Sequence, residues 1–169
     1  DAGIILVAQP AVMALFSPIT GRLSDKIQAR ILASTGMIMC TIGLVGFSFA
    51  NANTPIWIIV MLLIWMGLGF ALFSSPNMNT IMSSVGKSRY GQASGSAATM
   101  RVVGQIISMS IVTFMIAIFI GDKAVEMATD AEFIKTMHWG FYVFAGISVF
   151  GIYFSLFRGK MDKTEVEDY

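Results

Sequence analysis

Apolar residues gather into five long runs separated by short polar connections. The runs cover residues 3–19, 31–50, 56–75, 93–120 and 138–157, and a polar tail follows at 158–169. A helix rising 1.5 Å per residue needs about 20 residues to cross a hydrocarbon core roughly 30 Å thick. The first run meets that length marginally and the others meet it in full. None of the runs alternates with period 2, as a barrel strand would, and an open strand edge in lipid leaves backbone groups unpaired. The pattern therefore predicts an all-α integral membrane protein with five transmembrane helices.

Composition agrees: 56% of the 169 residues are hydrophobic and 12% charged, against about 25% charged in a soluble domain. A net charge of +1 gives no reason to expect a nucleic-acid partner, so the positions of the charges matter more than their sum. Arg22, Lys26 and Arg30 fall between runs one and two, Lys87 and Arg89 between three and four, and Arg158, Lys160 and Lys163 after run five. Cytoplasmic connections retain Lys and Arg. These alternate connections are thus expected on the inner face of a cell membrane, with the N-terminus outside and the tail cytoplasmic. The opposite face receives the uncharged Asn51–Thr54 turn and the Gly121–Met137 loop, where Asp122, Glu126, Asp130 and Glu132 outnumber Lys123 and Lys135. Trp57, Trp139 and Tyr142 sit near outer span ends, as interfacial aromatics do, whereas Trp65 lies mid-span. The chain opens on Asp1, without a basic leader before the first run, and is expected to be a piece of a longer protein.

Within the runs, small residues are expected to let helices pack closely: Gly91 and Gly95 as a small-xxx-small pair, with Gly104, and Gly43, Gly46, Gly67, Gly69, Gly140 and Gly146 in the same way. Pro76 removes the hydrogen bond to the Leu72 carbonyl amid Ser74, Ser75, Asn77 and Asn79. These polar side chains either re-satisfy the broken backbone or line an aqueous route at the inner end of a pathway. Arg101 lies some way inside run four, where an arginine costs up to roughly 2.5–3.5 kcal/mol. Gln105 and Ser108 share its helical face, so a polar stripe enters the membrane. That stripe serves substrate or gating, or else braces a partner helix or loop. The spans contain no Asp or Glu, so a proton-coupling carboxylate would have to come from elsewhere.

His138 is placed as an interfacial histidine and Cys40 as a buried small side chain. One His, one Cys and no clustered carboxylates suggest neither a metal site nor a hydrolytic triad, and no cofactor is expected. Gly86-Lys87-Ser88 fails as a phosphate loop because Ile81 stands where its first glycine belongs. The 13 Met and 13 Phe either line an adaptable pocket or serve packing and lipid contact.

The loop Gly21-Arg22-Leu23-Ser24-Asp25-Lys26, with Arg30 following, resembles the Gly-x-Leu-x-Asp-Arg/Lys signature of the major facilitator superfamily, in its second, weaker copy. Gly91-x-Ala93-Ser94-Gly95 with Arg101-x-x-Gly104-Gln105, and Gly67-x-Gly69 followed by Pro76-Asn77, are similar to the fourteen-helix drug:proton antiporter branch. Gln28 and Ala29 depart from the family loop, which usually has a glycine and a basic residue there. The resemblance implies that the five helices form most of one six-helix half, with the N-terminal half of the carrier missing. It implies efflux of amphipathic or cationic organic compounds in exchange for protons by alternating access. Gly21, Arg22, Asp25, Lys26 and Arg30 would then form a conformational latch, the cations meeting acidic groups or lipid phosphates. Arg101, Gln105, Ser108, Asn77 and Asn79 would belong to the substrate pathway or its gate. A metabolite or siderophore exporter of the same superfamily, and a non-transporting membrane scaffold, are the alternatives.

Overall fold

The structure is a computed structural model that describes residues 2–121 and 129–157. Five α-helices account for nearly all of it: α1 (Ala2–Lys26), α2 (Ala29–Ser48), α3 (Ile56–Ser83), α4 (Tyr90–Phe119) and α5 (Asp130–Phe157), with a single 3-10 turn at Lys87–Arg89 and no strand among the described residues. At 20 to 30 residues each the helices are about 30–45 Å long. All five are long and apolar enough to cross a membrane.

Four of the five helices outlast their apolar runs. Helical hydrogen bonding continues into polar turns that emerge from the hydrocarbon, so α1 extends to Lys26 and α4 begins at Tyr90. The α5 helix starts at Asp130, eight residues before its apolar run. The Glu132 carboxylate accepts hydrogen bonds from the backbone N–H and the hydroxyl of Thr129, both at 3.0 Å, which satisfies an N-terminal turn as a capping box does. Between α1 and α2, Gln28 has φ −55° and ψ 122°. Such extended backbone needs no glycine, so the departure from the family loop costs the turn nothing.

The α3 helix is central, packed against both α1 and α2, while α2 also packs on α5. Close approach here depends on small residues. A Cβ added to Gly67 would stand 2.8 Å from the Gln9 carbonyl oxygen of α1; one added to Gly69 would stand 2.8 Å from Cys40 Sγ and 3.0 Å from the Gly36 carbonyl oxygen of α2. Two residues apart on a helix means about 200° of rotation, so the Gly-x-Gly pair opens opposite faces of α3 to two neighbours. Gly43 and Gly46 likewise lie against Met66 and Leu62, whereas nothing stands within 4 Å of a Cβ built at Gly140 or Gly146.

Hydrogen bonds fasten α2 to α5 at three levels. Ser34 and Ser155 hydroxyls are 2.9 Å apart, those of Thr41 and Ser148 are 2.7 Å apart, and His138 Nε2 lies 2.8 Å from the Ala50 carbonyl oxygen. Phe47 stacks on Phe141 between the last two levels, with ring centroids 5.5 Å apart. Trp65 is half-exposed, and its indole N–H donates to the Met39 carbonyl at 3.0 Å. A neighbouring backbone thus satisfies the mid-span tryptophan.

Candidate functional site

Polar side chains gather at the Pro76 turn of α3. The helix runs through the proline to Ser83 without ending, although the ring removes one backbone donor and crowds the preceding turn. The turn before the proline is also held by another helix. The Thr20 hydroxyl of α1, buried at 5% exposure, lies 3.0 Å from both the Ala71 and the Ser17 carbonyl oxygens. Past the proline, the Thr80 hydroxyl donates to the Pro76 carbonyl at 2.9 Å.

Asn77 and Asn79 are neighbours in sequence and diverge in space. Asn77 lines an open cleft of about 530 Å³ between α2, α3 and α5, together with Met37, Phe73, Phe154 and Ser155. Ala33 and Gly151 supply the rest of the wall and leave it room. Asn79 turns to α1, where its amide nitrogen donates to the Ser24 hydroxyl oxygen at 2.9 Å. The cleft is open and mostly apolar, with Asn77 and Ser155 as its polar groups.

The predicted latch residues fall at one end of the bundle. Gly21, Arg22, Asp25 and Lys26 occupy the last turns of α1, and Arg30 the first turn of α2. Arg22 and Lys26 are exposed, Arg30 is half-buried, and Lys87 and Arg89 are exposed in the 3-10 turn at the same end. A Cβ on Gly21 would come within 3.0 Å of Ser75 Oγ, so this glycine lets α1 settle against the Pro76 turn. Arg158, Lys160 and Lys163, and Asp122, Lys123 and Glu126 of the opposite loop, lie outside the described residues.

Arg101, Gln105 and Ser108 form a stripe along α4, apart from the cleft. Arg101 and Gln105 are exposed, and the Ser108 hydroxyl donates back to the Gln105 carbonyl at 2.9 Å. Arg101 meets no partner among the described residues. No residue of α4 is buried. A Cβ built at Gly91, Gly95 or Gly104 has nothing within 4 Å. The α4 helix rests on α5 and touches α3, with Phe119 stacked on Trp139 at 6.3 Å and Lys135 Nζ 5.6 Å from the Phe119 ring centre.

Sequence reasoning missed Thr20, Ser24 and the four hydroxyls between α2 and α5. Ser34 and Thr41 are seven residues apart, as are Ser148 and Ser155. Seven residues are nearly two helical turns, so matched hydroxyl spacing in two apolar runs was the available signal.

Long apolar helices, small residues at their crossings and hydroxyl pairs between them define a multi-pass α-helical membrane protein. The profile of the Major Facilitator Superfamily matches residues 1–168, and the chain belongs to that family of transporters. It is similar to the riboflavin transporter RibZ of Clostridioides difficile (strain 630), 26% identical over 164 residues, which cover 96% of this chain and 36% of that protein. The uncharacterized transporter YebQ of Escherichia coli (strain K12) is 31% identical over 131 residues, covering 78% of this chain and 28% of YebQ. The multidrug resistance protein Stp of Mycobacterium tuberculosis is 29% identical over 115 residues, covering 68% and 21%. The chain thus spans about a third or less of the length of these relatives. No solved structure matches it.

Proposed function

We propose that this chain is the C-terminal part of a secondary carrier that exports amphipathic or cationic organic compounds in exchange for protons, by alternating access. The observation that carries the reading is the polar stripe of α4. An arginine facing hydrocarbon costs roughly 2.5–3.5 kcal/mol near a helix centre, and Arg101 has no partner among the described residues. A water-filled route or another part of the carrier relieves that cost, and the short share of each relative that the chain covers leaves room for both. Arg101, Gln105 and Ser108 would face the route between the two halves, Asn77 would serve the cleft behind it, and the Gly21–Arg30 segment would act as the latch at the cytoplasmic end. The cationic connections, held at one end of the bundle, support a cytoplasmic C-terminus in the cell membrane.

The test uses the complete transporter in proteoliposomes with an imposed proton gradient and a fluorescent cationic dye. Arg101→Ala is expected to lower dye export at least about tenfold, the loss of roughly 1.4 kcal/mol of differential stabilisation, with insertion unchanged. Export at the normal rate removes Arg101 from the route. A second reading, export of a specific metabolite, is favoured by the similarity to a protein named as a riboflavin transporter. It predicts that riboflavin competes with the dye or replaces it as cargo.

A further inference from the structure

Polar contacts join the second half of α1 to α3 on both sides of the Pro76 turn. Before the proline, the Thr20 hydroxyl meets the Ala71 carbonyl; beside it, Gly21 faces Ser75; beyond it, Asn79 donates to Ser24. Positions 71, 75 and 79 are successive four-residue steps on α3 and so share one face. The Ser24–Asn79 bond has a defined polarity. Ser24 carries one hydroxyl proton, which it donates to the Gly21 carbonyl at 2.6 Å, leaving its oxygen to accept from the Asn79 amide.

A helix is least constrained where a proline has removed a rung of its ladder. The segment from Pro76 to Ser83 is therefore the part of α3 most readily re-aimed, and Asn79 ties that segment to α1. Asn77, two residues earlier and about 200° around the helix, stands in the cleft on the other side. Ser24 immediately precedes Asp25 and Lys26 of the loop signature.

We infer that Ser24 and Asn79, with Thr20, are positioning residues that bind the latch end of α1 to the post-proline segment of α3, so that the state of the latch sets the placement of Asn77 in the cleft. This inference rests on the latch reading proposed above. It adds a mechanical link: a displacement of α1 pulls one face of the α3 segment through Asn79 and moves the opposite face, which bears Asn77.

The test uses the complete transporter in membrane vesicles, freed of its native cysteines and carrying Asn77→Cys as a reporter of cleft accessibility to a small maleimide. Asp25→Asn perturbs the latch, and the readout is the change it makes in the labelling rate at position 77. With the Ser24–Asn79 bond present the change is expected to be at least about fivefold, the lower end of ordinary coupling between sites. Asn79→Ala should shrink it below about twofold, and Ser24→Ala, a milder change at the other end of the bond, should do the same. Ser24→Thr keeps a hydroxyl and should retain the full change. A merely structural role would lower expression or melting temperature without erasing this response selectively. An undiminished response in both alanine variants overturns the link and leaves the latch standing. No response to Asp25→Asn even with the bond intact overturns the latch reading and the link with it.

Discussion

Replacing Gly36 by alanine probes a crossing at which α2 meets the backbone of α3. The added methyl would lie 2.6 Å from the Gly69 carbonyl oxygen and 2.7 Å from the Phe73 backbone nitrogen. These are main-chain atoms of α3 and cannot swing aside as a side-chain tip does. To restore ordinary contact at 3.4 Å, α2 and α3 must part by about 0.8 Å there. A gap of roughly 0.5–1 Å forfeits a quarter to a half of each atom pair's attraction along the seam, and over-filling a packed site costs about 1–3 kcal/mol. In a unit of roughly 150–250 residues each kcal/mol lowers Tm by roughly 2–4 °C, and in a longer chain by less, which gives an expected fall of at most about 12 °C. The assay is the melting temperature of the detergent-purified complete transporter, read by loss of the monodisperse peak after heating. Gly140→Ala is the comparison, since nothing stands within 4 Å of a Cβ built there. Equal melting temperatures for the two variants would refute the argument that backbone contact at Gly36 holds α2 to α3.

The hydroxyl pair between α2 and α5 yields a second expectation. Thr41 directs its proton to the Met37 carbonyl at 2.9 Å, so Ser148 donates across the helices at 2.7 Å. A double-mutant cycle of Thr41→Val and Ser148→Ala should give a coupling of about 0.6 kcal/mol, up to roughly 1.7; strict additivity in thermal or denaturant unfolding would remove this pair from the contacts that hold α5. A third expectation concerns Gly95, whose Cβ position is open. On the proposed reading its partner belongs to the rest of the carrier, so Gly95→Leu should lower dye export at least about tenfold, or about 1.4 kcal/mol. Normal export by the leucine variant would place this face of α4 against lipid.

The helices were legible because a 20-residue apolar run has few other uses. Their ends were less so, since a helix persists wherever its hydrogen bonds are met. Thr129 and Glu132 carried a start signal for α5 that hydropathy does not register. Pro76 was visible as a break in hydrogen bonding, yet the hydroxyl that holds the turn before it, at the Ala71 carbonyl, belongs to Thr20, 51 positions away. Asn77 and Asn79 were grouped because they adjoin the same proline. Two residues of helical rotation send them to different neighbours, which sequence proximity conceals. The loop signature was legible as a motif. What it touches depends on α3, and only the folded chain brings Ser24 to Asn79.

The contrast between α3 and α4 bears on how much of the machine these helices represent. Both carry glycines at positions where, in a helix in water, each costs about 1 kcal/mol relative to alanine. In α3, Gly67 and Gly69 return that cost as close contact with α1 and α2. In α4, Gly91, Gly95 and Gly104 meet nothing among the described residues, and together with Arg101, Gln105 and Ser108 they occupy roughly half of the helix circumference at 100° per residue. A surface designed only for lipid gains nothing from an arginine, a glutamine and three missing side chains. The same surface suits a backbone that approaches closely and a polar route beside it, which is the division of labour expected where one half of a carrier rocks against the other. On the proposed reading the α1–α3–α2–α5 packing would supply the rigid body for such a motion, and α4 would present its working face.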